Sequence, residues 1–273
     1  MRDMKPAYHD DHMIAIPPKA WLAPLIPLLI WGLAWVVSNN TDLFYTINRI
    51  AQNWPEGSWA FFVYLGNGWG MFALTIPLVL FAPRMLTACI IGASLAGLVS
   101  RFFKLSLAVP RPAAVLDNST FHIIGEAIHH HAMPSGHTLT AFAVATSVYF
   151  CMPPKHRIAA LWVFVVATLS GMARIAIGAH WPADVFAGAA LGMLGGLVGT
   201  ALVRRLPASW FRPSSWWLCF VTYAGGAVAF YMTTTQRLDL DISRPIQTLS
   251  AVIVLITIIF FTHRLLTRSS VTT

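Results

Sequence analysis

Long apolar runs broken by short polar stretches dominate the chain. Read by run length, they place spans near residues 20–38, 59–82, 86–103, 138–152, 158–178, 184–203, 216–233 and 246–263. Most approach the roughly 20 apolar residues a helix needs to cross the hydrocarbon of a bilayer. The run at 138–152 is short, so its helix is expected to start earlier. The expected fold is all-α: a polytopic transmembrane helical bundle with a six-helix core and two extra C-terminal spans at about 216–263. One integral membrane domain is expected over residues 1–273, with a polar segment at 1–19 and no internal repeat.

Composition strengthens this picture. The chain is 57% hydrophobic and only 10% charged, against about 25% charged residues in an ordinary soluble protein. So few charges cannot cover a soluble globule. The formal charge of +8 is explained by cytoplasmic loops and anionic lipid. No soluble basic module is visible, so nucleic acid is not an expected partner. Cys89, Cys151 and Cys219 lie in or beside apolar runs, form no CxxC pair, and read as small buried hydrophobes. The first apolar run has no Ala-x-Ala site after it and reads as a retained signal anchor.

The cations give the chain a sidedness. Arg2, Lys5, Lys19, Arg84, Lys155, Arg157, Arg204, Arg205, Arg212, Arg264 and Arg268 all fall on one side of an eight-span topology. The positive-inside rule makes that side cytoplasmic and puts both termini there. Arg49, Arg101, Lys104, Arg111, Arg174, Arg237 and Arg244 remain for the other side. Within span six, Gly188, Gly192 and Gly196 recur four apart, a close helix–helix surface read chiefly as packing inside the bundle.

Charge near hydrocarbon is costly, so each such residue marks a candidate site. Three stretches on the outer side carry the chemistry. "KLSLAVPRP" places Lys104 at the end of span three and Arg111 seven residues later, between Pro110 and Pro112. A point charge and a planar fork suit an oxyanion, although snorkelling at a helix end would explain them singly. "MPSGHT" puts Ser135 at a helix N-cap, Gly136 where backbone can approach a ligand, and His137 at the rim of a helix N-terminus. "ARIAIGAHWPAD" supplies Arg174, with His180 and Asp184 four apart at the entrance of span six. A carboxylate on one imidazole nitrogen fixes the tautomer and leaves the other as a nucleophile. Together the stretches offer three cations, a helix N-terminus and two histidines, the set that phosphoryl transfer to a histidine requires.

These motifs carry a resemblance. Lys104 to Pro112 reads K-x6-R-P, residues 134–137 read P-S-G-H, and Arg174 to Asp184 reads R-x5-H-x3-D. In this order they resemble the type 2 phosphatidic acid phosphatase family, which shares a site plan with vanadium haloperoxidases and glucose-6-phosphatase. The resemblance covers roughly residues 86–203. It implies a helical bundle and metal-independent hydrolysis through a phosphohistidine, with no cofactor. By motif position, His180 corresponds to the nucleophile and Asp184 to its orienting partner. His137 corresponds to the acid, then base. Lys104, Arg111 and Arg174 correspond to the phosphate clamp, with Ser135 and the Gly136 N–H adding hydrogen bonds. One position departs: the family usually has Ser-Arg in the third motif, and here Ala173 precedes Arg174, so a hydroxyl contact to phosphate is missing.

The expected activity is hydrolysis of a lipid phosphate or diphosphate at the outer face of a bacterial inner membrane. Undecaprenyl diphosphate, phosphatidylglycerophosphate or phosphatidic acid, and lipid A are the candidate substrates. A lipid phosphotransferase is the alternative, because an acceptor hydroxyl could replace water at the same phosphohistidine. A transporter would need polar residues at mid-depth, and the middle of most spans is bare. Three features lie outside the motifs. His129–His131, with His122 and Glu126 near, read as a solvated loop over the site rather than a metal site. Arg237 and Arg244 in "RLDLDISRP" either repeat the first motif's spacing by chance or contact a second phosphate or sugar. The first outer loop reads as an interfacial helix or a lid.

Overall fold

The computed structural model describes residues 15–269, where the regular structure is entirely helical. The helices, in chain order, are α1 (Leu25–Val37), α2 (Asn40–Ala51), α3 (Glu56–Gly66), α4 (Gly68–Thr75), α5 (Pro83–Leu107), α6 (Pro112–Val115), α7 (Gly136–Cys151), α8 (Trp162–Ala176), α9 (Pro182–Val203), α10 (Trp216–Cys219), α11 (Gly226–Thr235) and α12 (Arg244–Ser269). A π-helical turn over Phe220–Gly225 joins α10 to α11. Among the described residues, five helical stretches are long and apolar enough to cross a membrane, or six if the bent pair α3–α4 counts as one. The protein is an integral membrane protein.

The eight expected spans therefore differ in quality. The second breaks at Asn67, and its halves meet at 79°. Asn67 makes the break by capping α4, its Oδ1 accepting from the Trp69 and Gly70 amides at 3.0 and 3.1 Å. The fourth starts at Gly136, earlier than its apolar run, and has 16 residues, about 24 Å at 1.5 Å per residue. The seventh is one unbroken helical stretch over residues 216–235 with the π turn inside it. The apolar surface has the exposure expected of a lipid contact: Val36 and Val37 in α1 are 83% and 87% exposed.

Helix ends are built from the local sequence. Proline opens α5, α6 and α9, where a missing N–H costs no hydrogen bond. Arg84 caps the far end of α9, Nη1 donating to the Val203 carbonyl at 3.1 Å. Arg157 donates to the Phe150 and Met152 carbonyls at the end of α7, a favourable charge on the negative end of a helix dipole.

The core is a close assembly of α5, α7 and α9. The glycine row of α9 faces α7 inside the bundle: a Cβ on Gly188 or Gly196 would sit 2.6 Å from the Ser135 or Ala143 carbonyl oxygen. The neighbouring row faces α5, where a Cβ on Gly195 would sit 2.6 Å from the Gly92 oxygen. Helix α9 thus has two backbone-close faces, and the absence of side chains lets three helices meet there. The first outer stretch forms α2, which lies across the end of the bundle with Phe44, Asn48 and Ala51 buried. Asn48 Nδ2 donates to the carbonyls of His122, Ile175 and Ala176, and its Oδ1 accepts from the His122 amide. A single buried amide ties three segments of the outer surface together.

Candidate active site

Residues from all three motifs converge at one end of the α5–α7–α9 core. Arg174 is the third residue from the end of α8, and after Ala176 the chain turns back sharply. Gly178 makes that turn at φ +75°, with a Cβ position only 2.9 Å from the His122 oxygen, so glycine is required there. The turn lets the Ala179 and His180 amides donate to the Arg174 carbonyl at 3.0 and 3.1 Å. Pro182 then starts α9. Asp184 caps that start, Oδ2 accepting from the Trp181 amide at 2.9 Å, and the same oxygen lies 3.2 Å from His180 Nδ1. Both side chains are buried, at 1% exposure.

The partners of His180 define its tautomer. Nδ1 faces Asp184 Oδ2, the oxygen that also accepts from the Trp181 amide, and is placed to donate its proton there. Arg111 Nη1 lies 3.1 Å from Nε2, and a guanidinium only donates, so Nε2 presents its lone pair. The ring therefore turns an open Nε2 lone pair toward cations. Burial lowers its pKa well below the ordinary value, and the charges of Arg111, Arg174 and Lys104 lower it further.

Arg111 is fixed by backbone. Its Nε donates to the His130 carbonyl at 2.8 Å and its Nη1 to the Ala179 carbonyl at 2.9 Å. The 109–111 segment is itself paired with 129–132 through Arg111 N–His129 O and Ala132 N–Val109 O. The three consecutive histidines thus serve through their carbonyls, and His131 Nδ1 donates to the Lys104 carbonyl at 3.0 Å. Trp181 Nε1 donates to Pro110 O at 2.8 Å, locking the first motif to the third. Lys104, Arg111 and Arg174 are near enough to repel one another, a concentration of positive charge that an oxyanion would relieve.

The second motif joins the third through backbone, Ser135 N donating to Asp184 O at 2.9 Å. Ser135 occupies the N-cap position of α7, but its side chain makes no capping hydrogen bond. The expected side-chain cap is replaced by a different contact: Ser135 Oγ accepts from Thr138 Oγ1 at 2.9 Å. That leaves the serine proton to donate elsewhere, and the α7 amides remain open. A Cβ on Gly136 would meet nothing within 4 Å, so the backbone at the start of α7 is open to close approach.

One residue of the site lies outside the three motifs. Asp239, in the loop before α12, brings Oδ1 to 2.9 Å from His137 Nε2 and 4.0 Å from Arg174 Nη1. Asn67 Nδ2 donates to its Oδ2 at 2.8 Å. Burial pushes this carboxyl up, but His137, Arg174 and Asn67 together outweigh burial and hold it below the ordinary carboxylate value. The two cations of the same stretch are engaged away from His137. Arg237 pairs with Glu126 and, at 3.3 Å, with Asp241, and Arg244 donates to the Gln236 carbonyl. The signal for Asp239 was an acidic residue in an apolar context on the outer side, "RLDLD", which alternation of leucine and aspartate made visible.

The PAP2 superfamily model matches residues 84–208, which contain all three motifs. A lipid A 1-phosphatase of Porphyromonas gingivalis is 34% identical over 119 residues, 42% of this chain and 23% of that protein. A lipid A 1-phosphatase of Rhizobium johnstonii is 34% identical over 130 residues, 44% of this chain and 49% of that one. The chain thus aligns with less than half the length of these curated relatives. Among solved structures, LpxE of Aquifex aeolicus superposes with a TM-score of 0.51 at 30% identity, covering 59% of this chain and 94% of that one. The first transmembrane PAP2-type phosphatidylglycerolphosphate phosphatase from Bacillus subtilis superposes with a TM-score of 0.50 at 18% identity, covering 69% and 98%, a likeness of fold. With its motifs gathered on the same frame as a solved relative covered almost end to end, the chain belongs to the PAP2 superfamily.

Proposed function

We propose that the protein is a membrane phosphatase that hydrolyses a lipid phosphate or lipid diphosphate through a phosphohistidine. The observation that carries this reading is His180: its Nδ1 is held by Asp184 at 3.2 Å while its Nε2 lone pair faces the Arg111 guanidinium at 3.1 Å. A substrate phosphate would draw Arg111, Arg174 and Lys104 onto its oxygens, with the Ser135 hydroxyl and the Gly136 amide adding donors. That frees Nε2 to attack phosphorus. The N–P bond forms as the P–O bond to the lipid breaks, and His137 gives the leaving oxygen its proton. Water then attacks the phosphohistidine, gives its proton to His137, and phosphate leaves. Charge stabilisation comes from the clamp, so the proposed chemistry uses no metal and no cofactor.

Among the lipid candidates, a glycolipid phosphate of the lipid A type is favoured, because the curated relatives named above are lipid A 1-phosphatases. The site lies at the helix ends opposite the cation-rich loops, which supports an orientation with both termini cytoplasmic and the site facing the periplasm. The test is phosphate release by the purified protein in detergent with EDTA present. The substrates are lipid A, undecaprenyl diphosphate, phosphatidylglycerophosphate and phosphatidic acid, and the control is His180→Ala. Release that survives the chelator and disappears in the variant is the expected result. Release that needs an added acceptor lipid would replace hydrolysis by phosphotransfer. Equal release by wild type and variant would remove His180 from the reaction.

A further inference from the structure

We propose that Asp239 is a positioning residue for His137: its carboxylate lies against one ring nitrogen of the proton donor, favours the protonated ring, and leaves the other nitrogen to face the leaving oxygen. This rests on the phosphatase reading above. It adds a residue from beyond the stretch that the family model covers, which ends at 208.

The geometry is specific. Asp239 Oδ1 lies 2.9 Å from Nε2 of His137, and no described residue hydrogen-bonds the other ring nitrogen, Nδ1. Nε2 is buried and the approach is off the axis of a good hydrogen bond, so the carboxylate acts mainly as a close charge. That charge is needed. Burial disfavours the imidazolium that an acid must be before it donates, and the positive charges of Arg174 and Lys104 disfavour it further. A carboxylate at contact distance opposes them.

Asp239 is also built in rather than loosely placed. Leu238 and Leu240 on either side are 5% and 6% exposed. Gln247 of α12 donates to the Leu238 carbonyl at 3.2 Å, and the aspartate itself is held at φ +67°. Its second oxygen is fixed by Asn67, the same residue whose other side-chain atom caps α4 at the break between α3 and α4. A fixed carboxylate on the acid, touched by one clamp arginine only at 4.0 Å, fits an orienting group better than a plug in the phosphate position.

The proton path is balanced. As the lipid oxygen departs, the Nδ1 proton moves to it and His137 becomes neutral. Water attacking the phosphohistidine returns a proton to Nδ1, and Asp239 stays ionised throughout.

The test compares wild type, Asp239→Asn and Asp239→Glu on two substrates with the same alkyl chain, an alkyl phosphate and a nitrophenyl phosphate. The nitrophenolate leaves without a proton. For the alkyl phosphate, Asp239→Asn should lower kcat/KM by about 100-fold, the low end of general acid catalysis. It should also move the basic limb of the pH profile to lower pH, with partial recovery in Asp239→Glu. For the nitrophenyl phosphate the loss should fall below about threefold. Titration of the His137 ring, followed by NMR of carbon-13-labelled histidine, should show a lower pKa in Asp239→Asn. An equal loss on both substrates would mean a structural role, and a gain in activity would mean a plug; either overturns the assignment. Failure of wild type on both substrates and on the lipids would instead overturn the phosphatase reading, while the ring titration would still show whether Asp239 charges His137.

Discussion

His180 is placed by atoms that leave its chemistry little freedom. Asp184 takes one nitrogen, Arg111 faces the other, and burial plus three cations depress the ring's pKa. On the proposed mechanism the reacting form is the neutral ring. Because its pKa is lowered, neutrality is kept as pH falls through about 6.5, the ordinary value, and is lost only below it. Carbon-13 histidine NMR should therefore find His180 titrating below pH 6.5, and kcat/KM, corrected for ionisation of the substrate, should fall on the acid side of that point. A ring that titrates at or above 6.5 would contradict the electrostatics of the site. At this scale the sequence was highly legible. Lys104, Arg111, His137, Arg174, His180 and Asp184 sit in short motifs whose local spacing carries their relation, and His180 and Asp184 need only one helical turn to meet. Asp239 was not legible as a site residue, because only tertiary packing brings it to His137. The Ser135 hydroxyl was half legible: its place at the start of α7 follows from the sequence, but its bond to Thr138 depends on side-chain rotation.

At the scale of elements, α9 ties the motif-bearing helices together. Its glycines put its backbone against α5 and α7 at once, so the helices bearing the first and second motifs are both referenced to the helix that Asp184 starts. Gly196→Val would drive side-chain atoms into the Ala143 carbonyl and the Thr146 side chain, both 2.6 Å from the Cβ position. Backbone cannot yield as a flexible side chain can, so a cost of at least about 1–3 kcal/mol is expected. Thermal unfolding in detergent would measure it. Gly97, in α5, has nothing within 4 Å of its Cβ position, and Gly97→Ala should be neutral or stabilising by up to about 1 kcal/mol. Equal effects of the two substitutions would deny the close packing. Glycine spacing at four-residue intervals made this contact readable in advance. The bend at Asn67 was not: hydropathy runs through it unbroken, and the local clue was the small polar sequence Gly66-Asn67-Gly68.

For the whole molecule, sidedness decides what the site can meet. The 204–215 link and the 116–135 loop should lie on opposite faces of the membrane. Single cysteines at Asn118 and Ser209, both exposed, test this in a background lacking Cys89, Cys151 and Cys219. An impermeant maleimide applied to intact spheroplasts should label Asn118→Cys, and should reach Ser209→Cys only after lysis. The reverse pattern would turn the site toward the cytoplasm and change which leaflet supplies its substrate. The expected sidedness rests on loop cations spread along the whole chain, and the labelling decides it. The cap formed by α2 was less legible, since Asn48 earns its place through carbonyls of residues far away in the chain.

The docking of Asp239 also sets an order in time. Its loop is seated by buried leucines and by Gln247 in α12, so it settles only once the last helix has been inserted. A nascent chain that has passed residue 208 already holds every motif the family model spans, yet has not made the carboxylate that addresses His137. On the proposed mechanism, a chain truncated by premature termination would carry the residues of the clamp and the nucleophile but lack the carboxylate that addresses the acid, so completion of the last helix would be what switches the proton donor on.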